Sequence, residues 1–583
     1  MQVDKKLAQK LTITITLLWV VIGCNNIETG ELSPNPGQTA SITGTPTPID
    51  LVLNSQQATK GGTLVLANRD DPPAGFDTMR TSSIALHHIA GSLFGPGNLV
   101  TRCRENMYII CPSLARSWVT NNDFTEWTFT IRDNVQWHDG EKFTAWDAKF
   151  WYELAVAGST TENKRRAPAY FRTDLGDIKS IDVLSGNQLR LSLNHPQPKL
   201  LEALMNPRYK IAHPAHIMEP LIDQGEMSVA PLDIGLIGTG PFQIEEYKRG
   251  SMIRLKRFDH YWEKDAAGNS LPYLDMIDFI IIPNPSTMDA AFRSGRLDGG
   301  ARGEGHYLTV ERKKGYDNEE GLSTFYATMQ GGLFRLAFNM LREGPWQNTE
   351  VREAIALWID KQAAIPSALG GFGYVSPILG PTNPFTSPNF INWPRFNRDT
   401  LKENRDQALD LIENAGYADG FSMGYLCRAR LIPRCEFLAA QLSGLNIDLQ
   451  LHIADEAEWN RGRMSLDYDS QSGSHFTSPV PEGTESVFGE YQNNRDTYAK
   501  HQDPQVSRLY QTLKLARTHS QRVTAWRQIE KYIVLEQIYV IPIAGTLQVV
   551  PYQSYVSGLV IPPEDGHTHT DFASVWLNYQ EIH

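Results

Sequence analysis

The chain has 583 residues, 41% of them apolar, with 13 Trp, 22 Tyr and 23 Phe and a formal charge of −12. This composition is globular, not disordered, and gives room for two or three domains with substantial cores. The acidic balance argues against nucleic acid as a partner, because a phosphate backbone is held by clustered Lys and Arg.

Lys5, Lys6 and Lys10 lead into an apolar run from Leu11 to Gly23. A bilayer core needs about 20 such residues, so the run is too short to span one. It fits the apolar region of a secretory signal peptide over 1–23. Val21-Ile22-Gly23-Cys24 resembles a lipobox, the bacterial signal for cleavage before a cysteine that then carries lipid. The expectation is a chain that starts at Cys24 after lipidation and sits outside the cytoplasmic membrane. An uncleaved anchor or an ordinary cleavage site is the competing reading. Residues 24–60 are rich in Asn, Thr, Ser, Pro and Gly and cannot bury enough surface to fold. They read as a lipid-anchored flexible linker, about 110 Å long when fully extended. Beyond residue 23 no apolar run is long enough for a membrane helix.

Structure is expected from Gly61, where GGTLVLA reads as a strand. Trp127, Phe129 and Ile131 alternate with Thr128, Thr130 and Arg132, the period of a half-buried strand. Asn134 to Gly140 reads as a tight connection with Trp137 buried. Thr144 and Asp147 have the spacing of a capping box opening the helix AWDAKFWYELA. Gly238, Gly240 and Pro241 suggest a sharply shaped backbone, glycine being free to take φ > 0. Lys248 to Ser251 reads as a turn between the strands IEEY and MIRLKR, and Ser294 to Asp298 as a helix end followed by a strand. Val351, Ala354, Ile355, Trp358 and Ile359 have helical spacing, as do Ala408, Leu411, Ile412 and Ala415, with Gly416 as a stop. Val523, Trp526, Ile529 and Ile533 make another helix, and IYVIPI at 538–543 returns to strand. Strands and helices are mixed throughout, so the class is α/β (mixed α+β).

Besides Cys24 there are four cysteines, Cys103, Cys111, Cys427 and Cys435, in two pairs eight apart. An extracytoplasmic compartment permits disulfides, and two local bridges cost the least chain closure. Metal binding is the rival reading, weakened by the lack of C-x-x-C and of a nearby His. No phosphate loop, H-E-x-x-H or G-x-S-x-G motif occurs. His138, in WHDG, has no recognisable nucleophile to serve. His213 and His216 are separated by Pro214, and His567 and His569 read as a surface loop. The balance favours binding over catalysis, with no cofactor and no metal expected.

Six ordered blocks then carry a family likeness: GGTLVLANRDDPPAGFDT at 61–78, PSLARSWVTNNDFTEWTFTIRDNVQWHDGEKFTAWDAKFWYE at 112–153, IGTGPFQIEEYKRG at 237–250, HYWEKDAAGNSLPYLDMIDFIII at 260–282, AFRSGRLDGG at 291–300, and FNMLREGPWQNTEVREAIALWIDKQAAI at 338–365. ENAGYADGF at 413–421 continues it. Together they resemble the bacterial extracellular solute-binding proteins of family 5, the oligopeptide-, dipeptide- and nickel-binding components of ABC importers. The resemblance implies a two-lobed, periplasmic-binding-protein-like fold with an interlobe ligand cleft. Lobe I would comprise 61–95, 233–322 and 546–583, with a subdomain at 96–232, and lobe II would span 323–545. The implied partners are a peptide or similar small solute, permease subunits of the membrane, and the membrane itself through the N-terminal lipid. The chain itself would be a monomer without enzymatic activity.

Peptide-binding members commonly hold the substrate ammonium with an Asp in a stretch resembling G-W-x-x-D-Y-P-D-P. Here the corresponding region reads LDYDSQSGSHFTSPVPEGTE at 466–485. With Asp469 aligned to the preceding strand's Asp, His475 takes the tryptophan place and Ser478 the anchoring place. A serine hydroxyl cannot neutralise a buried ammonium. Either Glu482 or Glu485 substitutes, or the ligand carries no ammonium there, as in saccharide-, opine- or metallophore-binding relatives. The candidate ligand residues are Ser474, His475 and Phe476 in this loop, with Glu482; Phe372 and Tyr374 as aromatic walls; and Arg80, Thr81, Ser82 and Ser83 as extended backbone along the cleft. Two other classes compete: an exported hydrolase using His138 or His475, and a ligand sensor of the same fold.

Overall fold

The computed structural model describes residues 58–578 apart from 82, 96, 105–108, 163, 176, 207–208, 301–315, 317–323, 382, 473–480, 493–496 and 560–570. The leader, Cys24 and most of the 24–60 linker lie outside the described residues. Among those described, no helix is long and apolar enough to cross a membrane.

The first half begins with β1 (Thr63–Asn68) and α1 (Ile84–Phe94). A separate four-stranded sheet follows, built from β2 (Ala115–Thr120), β3 (Glu126–Ile131), β4 (Ile178–Leu184) and β5 (Gln188–Leu193) in the order β2-β3-β5-β4. Its alternation works as read: Trp127, Phe129 and Ile131 point into a core with Trp118, Trp137 and Trp151. Each such buried large side chain stabilises by roughly 1.5–3 kcal/mol. The sheet is packed by α2 (Ala145–Ala157), where Thr144 and Asp147 close the capping box, and by the short α3 (Leu200–Leu204). The chain then returns through β6 (Phe242–Lys248), β7 (Met252–Arg257), β8 (Met276–Ile281), α4 (Pro285–Arg293) and β9 (Gly299–Gly300). β6, β7 and β8 pack a second core with Leu64, Leu93, Phe242, Ile277, Phe279 and Phe572, while Met288 and Phe292 of α4 pack separately with Ala67, Leu297 and Tyr316.

The second half starts on the long strand β10 (Thr324–Phe338), followed by α5 (Thr349–Trp358), β11 (Gly373–Tyr374) and α6 (Leu401–Asn414). A β-α-β unit comes next: β12 (Phe421–Arg428), α7 (Ile432–Leu442) and β13 (Ile447–Ala454). Then follow α8 (Glu456–Ser465), β14 (Ser470–Gln471), α9 (Pro504–Leu515), α10 (His519–Lys531) and the second long strand β15 (Val540–Tyr552). Phe334, Leu336 and Phe338 of β10 bury into one core, while Leu333 and Ala337 bury into another on the opposite face. A strand covered on both faces is central to its sheet.

One eleven-stranded sheet joins the halves in the order β6-β7-β8-β1-β9-β15-β10-β14-β12-β13, with β11 added on β15. β10 and β15 run antiparallel from the Thr324–Tyr552 pair to the Ala337–Val540 pair and so pass from one half to the other. Sulfur bonds join Cys103 to Cys111 and Cys427 to Cys435.

The reading of Gly238 and Gly240 needs correction. Neither has positive φ. A Cβ on Gly238 would lie 2.0 Å from the Leu93 carbonyl oxygen, and one on Gly240 2.3 Å from that of Ser92. Glycine is required there because the backbone presses against the end of α1, not because of a turn.

Candidate functional site

The strand directions define where a ligand would sit. β1 runs parallel to β8 and β9, and β12 runs parallel to β13 and β14. β9 is antiparallel to β15, β15 to β10, and β10 to β14. The two parallel sets therefore point toward each other from opposite ends of the β10–β15 pair. Their carboxyl ends converge on its middle, and ligands of such sheets bind outside the carboxyl ends. At that middle the ladder slips, Gln330 facing Thr546 and Leu333 facing Gly545. Gly332 and Gly545 make room: a Cβ on the first would lie 2.5 Å from Thr546 Oγ1, and one on the second 2.2 Å from the Tyr374 ring. An irregular pair of strands crossing between two cores is the natural place for a hinge.

The first half contributes the loop that leaves β1. It is held by Asp77, which is fully buried and accepts from Arg166 Nη2 at 2.7 Å, with His213 Nε2 at 3.1 Å. Burial alone would raise the Asp77 pKa; His213 and Arg166 outweigh it and hold it at about 2. The second half contributes the middle of β10, the carboxyl end of β12 and the start of α7. Arg335, 1% exposed, donates from Nη1 to the Leu333 carbonyl at 3.1 Å, and its guanidinium lies 3.6 Å from the Tyr498 ring centre. Arg428 and Arg463 lie 4.3 and 5.4 Å from the Trp459 ring, and Arg434 lies 5.8 Å from that of Phe334. The Arg428 N–H donates to Ser472 Oγ at 2.7 Å, tying β12 to the residue after β14.

The two halves also meet outside the strands. Arg522 of α10 donates to Glu202 of α3 at 2.7 Å, both largely buried, and Arg517 lies 5.8 Å from the Phe124 ring.

Ser82, Ser474, His475 and Phe476 lie outside the described residues, as does the side chain of Glu482. Phe372 and Tyr374 are half-buried beside the hinge: the Phe372 carbonyl accepts from Leu547 N–H at 3.1 Å, and Tyr374 pairs with Gly545. Thr81 Oγ1 accepts from Ser83 N–H at 3.1 Å, and Ser83 precedes α1. Arg80 does not continue as extended backbone. Its N–H closes a turn onto Asp77 O, Nη2 donates to Met227 O at 3.0 Å, and Nε lies 3.4 Å from Asp77. Its side chain ties the β1 loop to the neighbouring core, because the buried Asp77 draws cations to it.

His138 is structurally committed. Nδ1 accepts from Gly238 N–H at 3.2 Å and Nε2 faces the Gly240 carbonyl at 3.1 Å. His216 bonds Asp139 instead of sharing a site with His213. Among the described residues no group of three His, Cys, Asp or Glu is placed to hold a metal. Sequence reasoning missed the buried group of Asp77, Arg166 and His213 that holds the loop after β1, because its members lie far apart in the chain.

Two lobes crossed by one strand pair, with opposed carboxyl ends meeting over it, define a hinged binding protein of the periplasmic type. The fold matches solved structures, among them HbpA2 from Haemophilus parasuis, with a TM-score of 0.73 at 20% identity over 88% of this chain and 100% of that one. It also matches a dipeptide binding protein from Pseudoalteromonas sp. SM9913 in complex with Met-Leu, with a TM-score of 0.69 at 19% identity over 88% and 100%. The periplasmic oligopeptide-binding protein OppA of Haemophilus influenzae is 22% identical over 85% of this chain and 90% of its own. The dipeptide-binding protein DppE of Bacillus subtilis is 24% identical over 60% of this chain and 62% of its own, less than two thirds of its length. Residues 110–494, well over half the chain, match the bacterial extracellular solute-binding proteins, family 5. The chain belongs to this family and is a solute-binding protein.

Proposed function

We propose that this chain captures a peptide or similar small solute between its lobes and delivers it to the permease of an ABC importer, with no chemistry of its own. The observation that carries the reading is the convergence of two opposed sets of strand ends on the middle of β10 and β15. A solute touching both sets stabilises the closed form by contacts the open form lacks. Relatives described as oligopeptide- and dipeptide-binding support a peptide-like solute. The lobes divide as 61–95, 233–322 and 546–583, with the subdomain 96–232, against 323–545. The ligand is lined by Thr81, Ser82 and Ser83 from one side and by Phe372, Tyr374, Ser474, His475, Phe476 and Glu482 from the other. The chain is held at the membrane by lipid on Cys24, outside the cytoplasm. Both nitrogens of His138 are bonded to backbone, which speaks against the hydrolase alternative at that residue; His475, the other histidine of that alternative, lies outside the described residues.

Isothermal titration of the full chain with a defined dipeptide and tripeptide set tests the proposal. Saturable binding of one solute per chain, recovered unchanged afterwards, is expected. Recovery of hydrolysed solute would overturn it.

A further inference from the structure

α10 begins with cations and no acid of its own. Arg517 precedes its cap Thr518, Arg522 closes its first turn, and that turn carries no acidic residue. The amino end of a helix is its positive end, so cations there are unfavourable unless an anion from elsewhere joins them. The anion comes from the other half of the molecule. Arg522 Nη1 donates to Glu202 Oε1 at 2.7 Å, the side chains being 12% and 17% exposed, and Glu202 lies in the first turn of α3. The Arg522 guanidinium also lies 5.1 Å from the Phe385 ring, which His519 meets edge-on at 5.2 Å. Its own half therefore orients it before it reaches across.

A second contact runs beside the first. The Arg517 guanidinium lies 5.8 Å from the Phe124 ring. The Phe124 carbonyl accepts from Gln197 N–H at 2.9 Å and the Gln197 carbonyl from Leu200 N–H at 3.3 Å, so Phe124 and the start of α3 form one surface. Leu200, Leu201 and Leu204 of α3 bury into the core of the four-stranded sheet, whereas Ala525, Trp526 and Ile529 of α10 bury with Phe385 into a core of the second half. The two cores share no residue, so both contacts part when the halves move apart. For a largely buried pair the loss of hydration nearly offsets the attraction, and the intact pair is a weak bias. Reversing one partner is not weak. It strands like charges together in the closed form, while the open form returns both to water.

We propose that Arg522 and Glu202, together with Arg517 at Phe124, form a latch that sets how much of the solute-free chain is closed. The inference rests on the solute-capture reading and adds to it residues that position the lobes without touching the solute. Because the solute stabilises the closed form, a chain already biased toward closure binds it more tightly and releases it more slowly.

The test uses the full chain without solute, after unfolding and refolding to remove any that co-purifies. Small-angle scattering, fitted as a mixture of open and closed forms, compares the parent, Arg522→Glu, Glu202→Arg and the exchanged pair that carries both changes. Each single reversal is expected to lower the closed-to-open ratio at least about 10-fold, and the exchange to restore most of it. Urea unfolding followed by tryptophan fluorescence should keep the parent's midpoint in all three, because the open form leaves both side chains in water. Single reversals that leave the ratio unchanged would overturn the latch, as would an exchanged pair that stays open. A lowered midpoint in the single reversals that the exchange does not restore would make the two residues packing residues and overturn it as well. Each of those results leaves solute capture standing, since that reading fails only if supplied solutes are not bound or are returned as products.

Discussion

Acid should loosen the first lobe through a single imidazole. His138 is largely buried, edge-on to Phe258 at 4.9 Å, with Nδ1 accepting from Gly238 and Nε2 facing the Gly240 carbonyl. That arrangement fixes a neutral ring with its proton on Nε2. Burial lowers its pKa from 6.5 to about 4, against weaker opposing contributions from the Gly240 and Leu236 backbone. Between those values the unfolded chain binds a proton that the folded chain refuses, so stability rises with pH. The contribution is complete above 6.5 and is lost as the pH falls toward 4. It amounts to ~2–3 kcal/mol after discounting for the partly exposed ring. Replacing His138 with Asn removes the titration while keeping a donor and an acceptor. Urea unfolding followed by tryptophan fluorescence, at pH 7.5 and pH 4.5, compares the two. The parent should lose ~2–3 kcal/mol more than His138→Asn on acidification. Equal losses would refute a neutral, backbone-bonded His138.

Three further outcomes follow from other buried charges. Glu530 is fully buried, with Oε2 accepting from Ser387 Oγ at 2.9 Å, and burial raises its pKa to about 7 against those bonds. Its folded form holds a proton the unfolded form releases above 4.5, so its cost grows as pH rises toward 7; Glu530→Gln should raise the Tm by at least about 2 °C at pH 8 and not at pH 4. Asp77→Ala leaves Arg166 and His213 buried without their acid and should cost ~3–5 kcal/mol in urea unfolding; a loss under ~1 kcal/mol would contradict the ion-pair account. Arg522→Ala breaks the contact to Glu202 that bridges the lobes, so small-angle scattering should show a larger radius of gyration without solute, and solute affinity should fall about 2–5-fold.

Local structure was legible where the signal was local. The Thr144 capping box, the alternation of Trp127, Phe129 and Ile131, and the Val351 helix each depend on residues within a few positions. The two-lobed fold was legible because six ordered blocks bore a family likeness. Asp77, Arg166 and His213 were not, because 89 and 136 residues separate Asp77 from its partners. The glycines of 238–240 were seen but their reason was misread, since close approach to Ser92 and Leu93 leaves no local mark. Arg335 looks like one residue in a strand until β10 and β12 are brought into one sheet.

Native mass spectrometry of the full chain as isolated, before and after unfolding and refolding, tests the central claim most directly. The account predicts one small co-purifying solute per chain, lost on refolding and rebound intact when supplied again. A chain that binds none of its supplied solutes, or returns them as products, would contradict it.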